Sequence, residues 1–190
     1  MFSLLAVGAI TIMNQGTATA QKALEITLVR QQIDAQAEAI RYIHSAYMSS
    51  LGTGDTDSPV VADWRTMTTL STGNAVIPAS ISRFDTAEAG KCPALPDNKQ
   101  AFILNAHSGK LVTDKIPKSA NDSPLPYSQV VYSPSDAMVY VESAGIWVEA
   151  ARTSNVSNFV DFHIRACWYA PGNGPATTIG TIVRLYAPAS

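Results

Sequence analysis

The side chains best placed for acid–base chemistry in this sequence are Asp161 and His163. They lie two residues apart in a segment of strand-forming residues, so both would project from the same face of a strand. An aspartate beside a histidine can orient the imidazole as a general base toward a serine hydroxyl. No G-x-S-x-G motif supplies such a serine, and we therefore expect a protein that is not an enzyme.

Ligands for metals and phosphates are sparse in the sequence. Asp55 and Asp57 offer carboxylate oxygens, but the further acidic residues of a calcium-binding loop are missing, which favours a solvated turn. There is no C-x-x-C motif, no cluster of cysteine with histidine and no glycine-rich phosphate loop. A formal net charge of −2 argues against a basic nucleic-acid-binding face. We expect no metal, no cofactor and no specific nucleic-acid partner.

The two cysteines, Cys92 and Cys167, are 75 positions apart. In an exported protein they would form one disulfide, which would stabilise the fold by about 3–4 kcal/mol in the chain-entropy model. In a cytosolic protein they would be two buried thiols. The apolar start of the chain favours export and therefore the disulfide.

Residues 1–21 carry no charged side chain, and residues 2–13 are almost wholly apolar. Three interpretations fit this start: a secretory signal peptide cleaved near residues 17–20, a membrane anchor, or a hydrophobic helix that buries itself against copies of itself. We favour the third, because an isolated soluble monomer could not hide these side chains from water. The residues expected to form this assembly surface are Phe2, Leu4, Leu5, Val7, Ile10 and Ile12.

An amphipathic helix is predicted over residues 22–50, ending within residues 49–54, because residues 23–48 contain neither glycine nor proline. Its apolar side chains recur every three or four residues and are expected to pack on a sheet; they are Ile26, Val29, Ile33, Ala37, Ile40, Ile43 and Tyr47. Its charged side chains are expected on the opposite, solvated face; they are Lys22, Glu25, Arg30, Asp34, Glu38 and Arg41. Glu38 can pair with Arg41 three residues further on.

Gly16 is the one helix breaker between the apolar start and the amphipathic helix. A lone glycine costs about 1 kcal/mol inside a helix and need not end it. Residues 2–49 are therefore either one helix of about 70 Å or two helices joined at a soft point near Gly16. We expect the second half to pack on a sheet and the first half to project from it.

The rest of the chain reads as strands separated by turns. Candidate strands, rich in Val, Ile, Tyr, Phe and Trp, cover residues 60–64, 101–106, 110–113, 129–132, 137–143, 145–151, 159–169 and 177–186. Residues 143–145 are expected to form a hairpin turn, and the last two strands a second hairpin around residues 171–175. The predicted fold is α+β, a long N-terminal helix (residues 1–50) packed on an antiparallel meander in a β-rich head (residues 51–190).

A charge-free apolar start that continues into an amphipathic helix, followed by a β head with one disulfide, resembles the type IV pilin superfamily. Residues 28–47 (LVRQQIDAQAEAIRYIHSAY) and 162–188 (FHIRACWYAPGNGPATTIGTIVRLYAP) are similar to pilin-like proteins of Saccharibacteria. The resemblance implies a subunit that the cytoplasmic membrane holds before assembly. Inner-membrane assembly machinery would then stack it, with copies of itself and with other pilins, into an extracellular filament. Part of the helix often melts in such filaments, and Gly16 is the matching position.

The sequence departs from the family pattern near its start. Pilins usually carry a glutamate a few residues into the mature chain, where it neutralises a neighbour's terminal amine. Leu4 and Leu5 stand in that region here, and the first acidic residue is Glu25. Either the natural start lies upstream of Met1, or the subunit assembles without this glutamate. The departure fits a minor pilin or pseudopilin of a secretion or DNA-uptake machine as well as a major pilin, and a secreted binding or adhesin module with a cleaved signal peptide is the alternative.

Overall fold

The computed structural model describes residues 2–55, 57–69, 90–93, 101–113, 125–151, 158–170 and 174–186. Its fold is α+β, because one long N-terminal helix precedes strands that pair in antiparallel fashion throughout the described residues. This agrees with the fold class predicted from the sequence.

The first helix, α1, spans Phe2–Thr53, which is 52 residues and a rod of about 78 Å. It is continuous through Gly16, so the first of the two predicted arrangements is the one observed. It ends inside the predicted stretch, where Gly54 adopts a left-handed φ of 74°. The amides of Gly54 and Asp55 donate to the carbonyls of Leu51 and Ser50 at 3.3 and 3.1 Å, and these bonds satisfy the last turn.

The second helix, α2, spans Pro59–Thr69, where the sequence predicted a strand over residues 60–64. That prediction is wrong because a strong helix start precedes the β-branched residues. Ser58 acts as the N-cap, with its hydroxyl 3.4 Å from the amide of Val61, and Pro59 occupies the first helical position. The buried face of α2 consists of Val61, Trp64, Met67 and Thr68.

Among the described residues, seven strands form two antiparallel sheets. Their bounds are β1 Ala101–Leu104, β2 Leu111–Val112, β3 Gln129–Tyr132, β4 Tyr140–Ala144, β5 Ile146–Ala151, β6 Phe159–Tyr169 and β7 Ala176–Tyr186. The larger sheet has the order β2-β1-β5-β6-β7, and β3 pairs with β4 in the smaller one. The last two strands form the predicted hairpin, with Phe159 opposite Tyr186 and Tyr169 opposite Ala176.

The hairpin predicted at residues 143–145 is not formed, and the strands are therefore not one simple meander. β4 and β5 belong to different sheets, and Gly145 between them has a left-handed φ of 65°. The carbonyl of Gly145 accepts a hydrogen bond from the amide of Cys167 at 2.7 Å. The hydroxyl of Ser128 lies 2.9 Å from the carbonyl oxygens of both residues. The chain thus changes sheets here, because these bonds hold Gly145 against β6.

The main core lies between α1, α2 and one face of the larger sheet. In β6 the even-numbered side chains point into it, and they are Val160, Phe162, Ile164, Ala166 and Trp168. Aromatic contacts join the layers: the ring of Trp64 lies 5.3 Å from that of Tyr47 and 5.7 Å from that of Phe162. The tryptophans at 64, 147 and 168 are all buried.

The opposite sheet face carries a disulfide between Cys92 and Cys167. The two cysteines form a small apolar cluster with Ala101 and Trp147. The amide of Cys92 donates to the hydroxyl of Tyr169 at 3.1 Å. The segment at residues 90–93 is thereby fixed to the end of the β6–β7 hairpin.

Candidate functional site

Residues 10–24 of α1 project from the head and are open to solvent on every side. Each residue from 10 to 24 is exposed, including the large apolar side chains Ile10 (59%), Ile12 (71%), Met13 (70%) and Leu24 (60%). Among the predicted assembly residues, Ile10 and Ile12 are therefore placed on a free surface. The side chains of Phe2, Leu4, Leu5 and Val7 lie outside the described part of the structure. We call residues 2–24 the tail.

Two threonine hydroxyl groups in the tail form hydrogen bonds within the helix itself. Thr17 donates to the carbonyl of Asn14, and Thr19 donates to the carbonyl of Gln15, both at 2.9 Å. This back-bonding pairs the hydroxyls with helical carbonyls three or four residues earlier. A neighbouring apolar surface could therefore cover these threonines without leaving an unpaired hydroxyl, which would otherwise cost about 1–3 kcal/mol.

Within the described residues, no contact requires glycine at positions 8 and 16 of the tail. A Cβ added at Gly8 or Gly16 would meet no atom within 4 Å, and both lie in regular helix. Each costs about 1 kcal/mol of helix propensity relative to alanine. A close approach of another backbone would offset that cost.

The head begins to hold α1 at Glu25. Its side chain is 8% exposed, and its carboxylate accepts a hydrogen bond from the indole nitrogen of Trp168 at 3.1 Å. The sequence placed Glu25 on the solvated face, and this placement is wrong. Glu25 lies four residues before Val29 and therefore on the same side of the helix as the apolar stripe.

The predicted apolar stripe faces the sheet. Val29, Ile33, Ala37, Ile40, Ile43 and Tyr47 are buried, and Ile26 is partly buried. Gln36 also belongs to this stripe and is 1% exposed, although it is polar and was not among the residues predicted to pack on the sheet. Its side-chain amide bonds both backbone groups of Leu104 in β1, at 2.7 and 2.9 Å. The spacing 25, 29, 33, 36, 40 is the signal that would have identified both polar residues.

On the solvated face, Glu38 and Arg41 form the predicted pair at 2.5 Å. Both side chains are mostly exposed, so this pair adds well under 1 kcal/mol. The buried stripe, together with Glu25 and Gln36, therefore contributes more than this pair to holding α1 on the sheet.

Asp161 and His163 share a face of β6, as predicted, but each has another partner. Arg184 donates two hydrogen bonds of 2.7 Å to the carboxylate of Asp161 and lowers the pKa of that carboxyl. Arg165 lies 3.1 Å from Nδ1 of His163. Burial first, and then the charge of Arg165, lowers the pKa of His163, while Asp161 opposes this effect. The Asp–His hydrogen bond of a catalytic dyad is therefore replaced by two arginine contacts.

Asp55 and Asp57 lie in the short connection between α1 and α2. The amide of Asp57 donates to Oδ1 of Asp55 at 3.2 Å, and both residues are exposed, as in a solvated turn. Within the described residues, no group of three or more His, Cys, Asp or Glu side chains could hold a metal ion. Nor does any described helix combine the length and apolar character needed to cross a bilayer.

Searches of protein-family models, curated proteins and solved structures found no match to this chain. The exposed tail, the point at which the head holds α1, and the resemblance noted in the sequence are therefore the basis for the function proposed below.

Proposed function

We propose that this chain is a structural subunit of a type IV pilus or a related filament, and that it polymerises through the tail. The observation that carries this proposal is the exposure of every residue from 10 to 24 in a segment with no charge before Lys22. The β-rich head would then form the filament surface, where it would serve adhesion or motility.

Burial of the tail supplies the driving force for assembly. Covering Ile10, Ile12 or Met13 fully would each be worth about 1.5–3 kcal/mol, and all three are more than half exposed. Tails of neighbouring copies offer the same surface, so burial would be mutual. A contact between different patches of identical subunits that does not close on itself builds a fibre.

Glu25 is the first acidic residue in the sequence, and its carboxylate accepts a hydrogen bond from the indole of Trp168 in its own head. Glu25 therefore lies in a contact within its own head and not on the exposed tail. We infer that apolar packing, close approach at Gly16 and the internally bonded threonines carry the contact between tails.

The surroundings of such a subunit follow from the resemblance. Before assembly, the cytoplasmic membrane would hold the precursor through the tail. The partners would be further copies of this chain, other pilins and the inner-membrane assembly machinery. The working location would be an extracellular filament at the cell surface.

The test is assembly of the full chain after removal of detergent. We expect negative-stain micrographs of the wild-type protein to show fibres, and Ile12→Asp to abolish them. Met138→Asp is the matched control, because Met138 is also exposed (55%) but lies on the head. Discrete particles from the intact wild-type chain would overturn the proposal. An exported protein that begins at Gln21 by mass spectrometry would support a secreted binding module instead.

A further inference from the structure

The last strand, β7, is an edge of the larger sheet, and the chain itself holds both of its ends. At one end the amide of Ala176 donates to the carbonyl of Gly90 at 2.9 Å. At the other end Nε2 of His44 bonds the carbonyl of Tyr186 at 2.7 Å. Both bonds lie on the side of β7 that faces away from β6. Its pairing with β6 is regular from Ala176 to Tyr186, so the even-numbered residues direct their backbone groups outward.

Between the two ends, four residues present outward N–H and C=O groups that no described residue bonds. They are Thr178, Gly180, Ile182 and Arg184. All four are exposed, and the exposure of Gly180 is exposure of backbone, since it has no side chain. Such a row of unpaired groups is a template for another strand.

We propose that β7 pairs in antiparallel fashion with β7 of a second copy of this chain, about a two-fold axis through Thr181. This register places Thr178 opposite Arg184 and Gly180 opposite Ile182, so that all four free residues pair with one another. In this register Ala176 lies opposite Tyr186, and each already has a bond on this side, so the pairing stops at Thr178 and Arg184. Sliding by two residues would set Arg184 against Ala176, or Thr178 against Tyr186, and would leave free groups of β7 without a partner. The end bonds thus favour the register about Thr181.

The side chains on the outer sheet face are self-complementary in this register. A cavity of about 320 Å³ lies beside Gly180, lined in part by His163, Arg165 and Ile182. Ile182 is 59% exposed, and in the second copy it would lie opposite Gly180 and enter this cavity. Among the paired residues of β7, no like charges oppose each other, because Arg184 faces Thr178 and is already bound to Asp161.

Charge complementarity on the other face identifies a second copy as the occupant. Arg30 and Asp34 of α1 are exposed and line a cavity of about 370 Å³ next to Thr181. The two-fold axis reverses the direction of α1 in the second copy. Arg30 of each chain would therefore face Asp34 of the other across the axis. An unrelated strand would leave these two charges without such partners.

This contact goes beyond polymerisation through the tail and is independent of it. A two-fold pairing closes on itself, whereas a filament needs a contact that does not close. The tail takes no part in the pairing, so the full chain can be examined in detergent that covers the tail.

The test is disulfide crosslinking of single-cysteine variants on β7. Both native cysteines are joined, so an introduced cysteine is the one free thiol. In Thr181→Cys the two new residues form a non-hydrogen-bonded pair with Cα atoms about 4.5 Å apart, a distance a disulfide can span. In the matched control Thr178→Cys, the two thiols lie roughly 20 Å apart.

We expect Thr181→Cys to form a covalent dimer on a non-reducing gel at least about tenfold faster than Thr178→Cys. We also expect sedimentation in detergent to change from dimer to monomer in Ile182→Lys, because a charge on an edge strand opposes pairing. Val141→Lys, an exposed change on β4, should remain dimeric. Equal crosslinking of the two cysteine variants, or a wild-type monomer at all concentrations, would overturn the proposal.

Discussion

The carboxylate of Glu25 accepts a hydrogen bond from the indole N–H of Trp168 at 3.1 Å, across 143 residues of sequence. Every residue from 10 to 24 is exposed, and from Glu25 onward the stripe residues are buried, apart from Ile26, which is partly buried. This bond therefore marks the point at which α1 passes from the free tail to the part fixed on the sheet.

Removing this acceptor should destabilise the head. Glu25→Ala would leave the buried indole N–H of Trp168 unpaired, and we expect the free energy of unfolding to fall by about 1–3 kcal/mol. Glu25→Gln keeps an acceptor at the same position and should recover most of that loss. Urea denaturation followed by tryptophan fluorescence measures both. Glu38→Ala, which breaks an exposed pair, should cost less than about 1 kcal/mol. Equal losses in all three variants would show that the bond has no special weight.

A substitution at Gly16 should impair assembly between tails without destabilising the helix of a single chain. Gly16→Leu meets open space in one copy and improves helix propensity, so helicity by circular dichroism should not decrease. Between closely packed tails the added side chain would clash, and overpacking typically costs about 1–3 kcal/mol. We expect the critical concentration for fibre formation to rise about tenfold. Ser45→Leu, an exposed change on the fixed half of α1, should leave it unchanged. A lower critical concentration in Gly16→Leu would indicate loose hydrophobic association.

Reduction of the disulfide should weaken the head strongly. The bond closes a loop between residues 75 positions apart, and the chain-entropy model gives about 4 kcal/mol for a loop of that size. We expect the urea midpoint to fall after reduction, and the double variant Cys92→Ser, Cys167→Ser to match the reduced protein. Oxidised and reduced wild-type protein with the same midpoint would contradict this prediction.

The pH dependence of stability should carry the signature of His163. Its pKa is lowered in the folded chain, so the unfolded chain binds the proton more readily. The contribution of His163 to the free energy of unfolding should therefore be at its maximum above about pH 6.5 and should decrease as the pH falls below that value. We expect His163→Gln to flatten this part of the profile, measured by urea denaturation between about pH 5 and 8. An unchanged slope in that variant would contradict the assignment.

Asp161 should produce a separate decrease in stability at a more acidic pH, which forms a second limb of the pH profile. The hydrogen bonds from Arg184 lower its folded pKa, so its stabilisation is present above about pH 4 and is lost as the pH falls further. Asp161→Asn should remove that limb, and the limb should persist in His163→Gln. Thermal melts between about pH 2 and 5 measure this difference.

Much of the fold could be predicted because its elements follow simple periodicities. The strands at residues 129–132 and 159–169 were predicted with their observed bounds, since alternating side chains and polar turns define them. The helical stripe from Ile26 to Tyr47 was predicted from its spacing of three and four residues. In both cases a local pattern coincides with the boundary between core and solvent.

The errors arose where tertiary contacts override residue type. Glu25 was assigned to solvent because it is charged, but Trp168, far along the sequence, supplies a buried donor. Residues 60–64 were assigned to a strand by β-propensity, but the Ser58–Pro59 start and the packing of Trp64 against Tyr47 favour a helix. The change of sheets at Gly145 depends on hydrogen bonds to β6 and Ser128, and no local sequence pattern predicts these bonds.

Trp168, which anchors Glu25, is joined by one peptide bond to Cys167, and Cys167 is covalently linked to Cys92. Force applied to the tail is thus transmitted through Trp168 to β6, next to the disulfide. Force on α1 would have to break the hydrogen bond between Glu25 and Trp168 and the contacts of the packed stripe before it could separate the strands of the sheet. We therefore expect the disulfide to strengthen the head against force applied along α1.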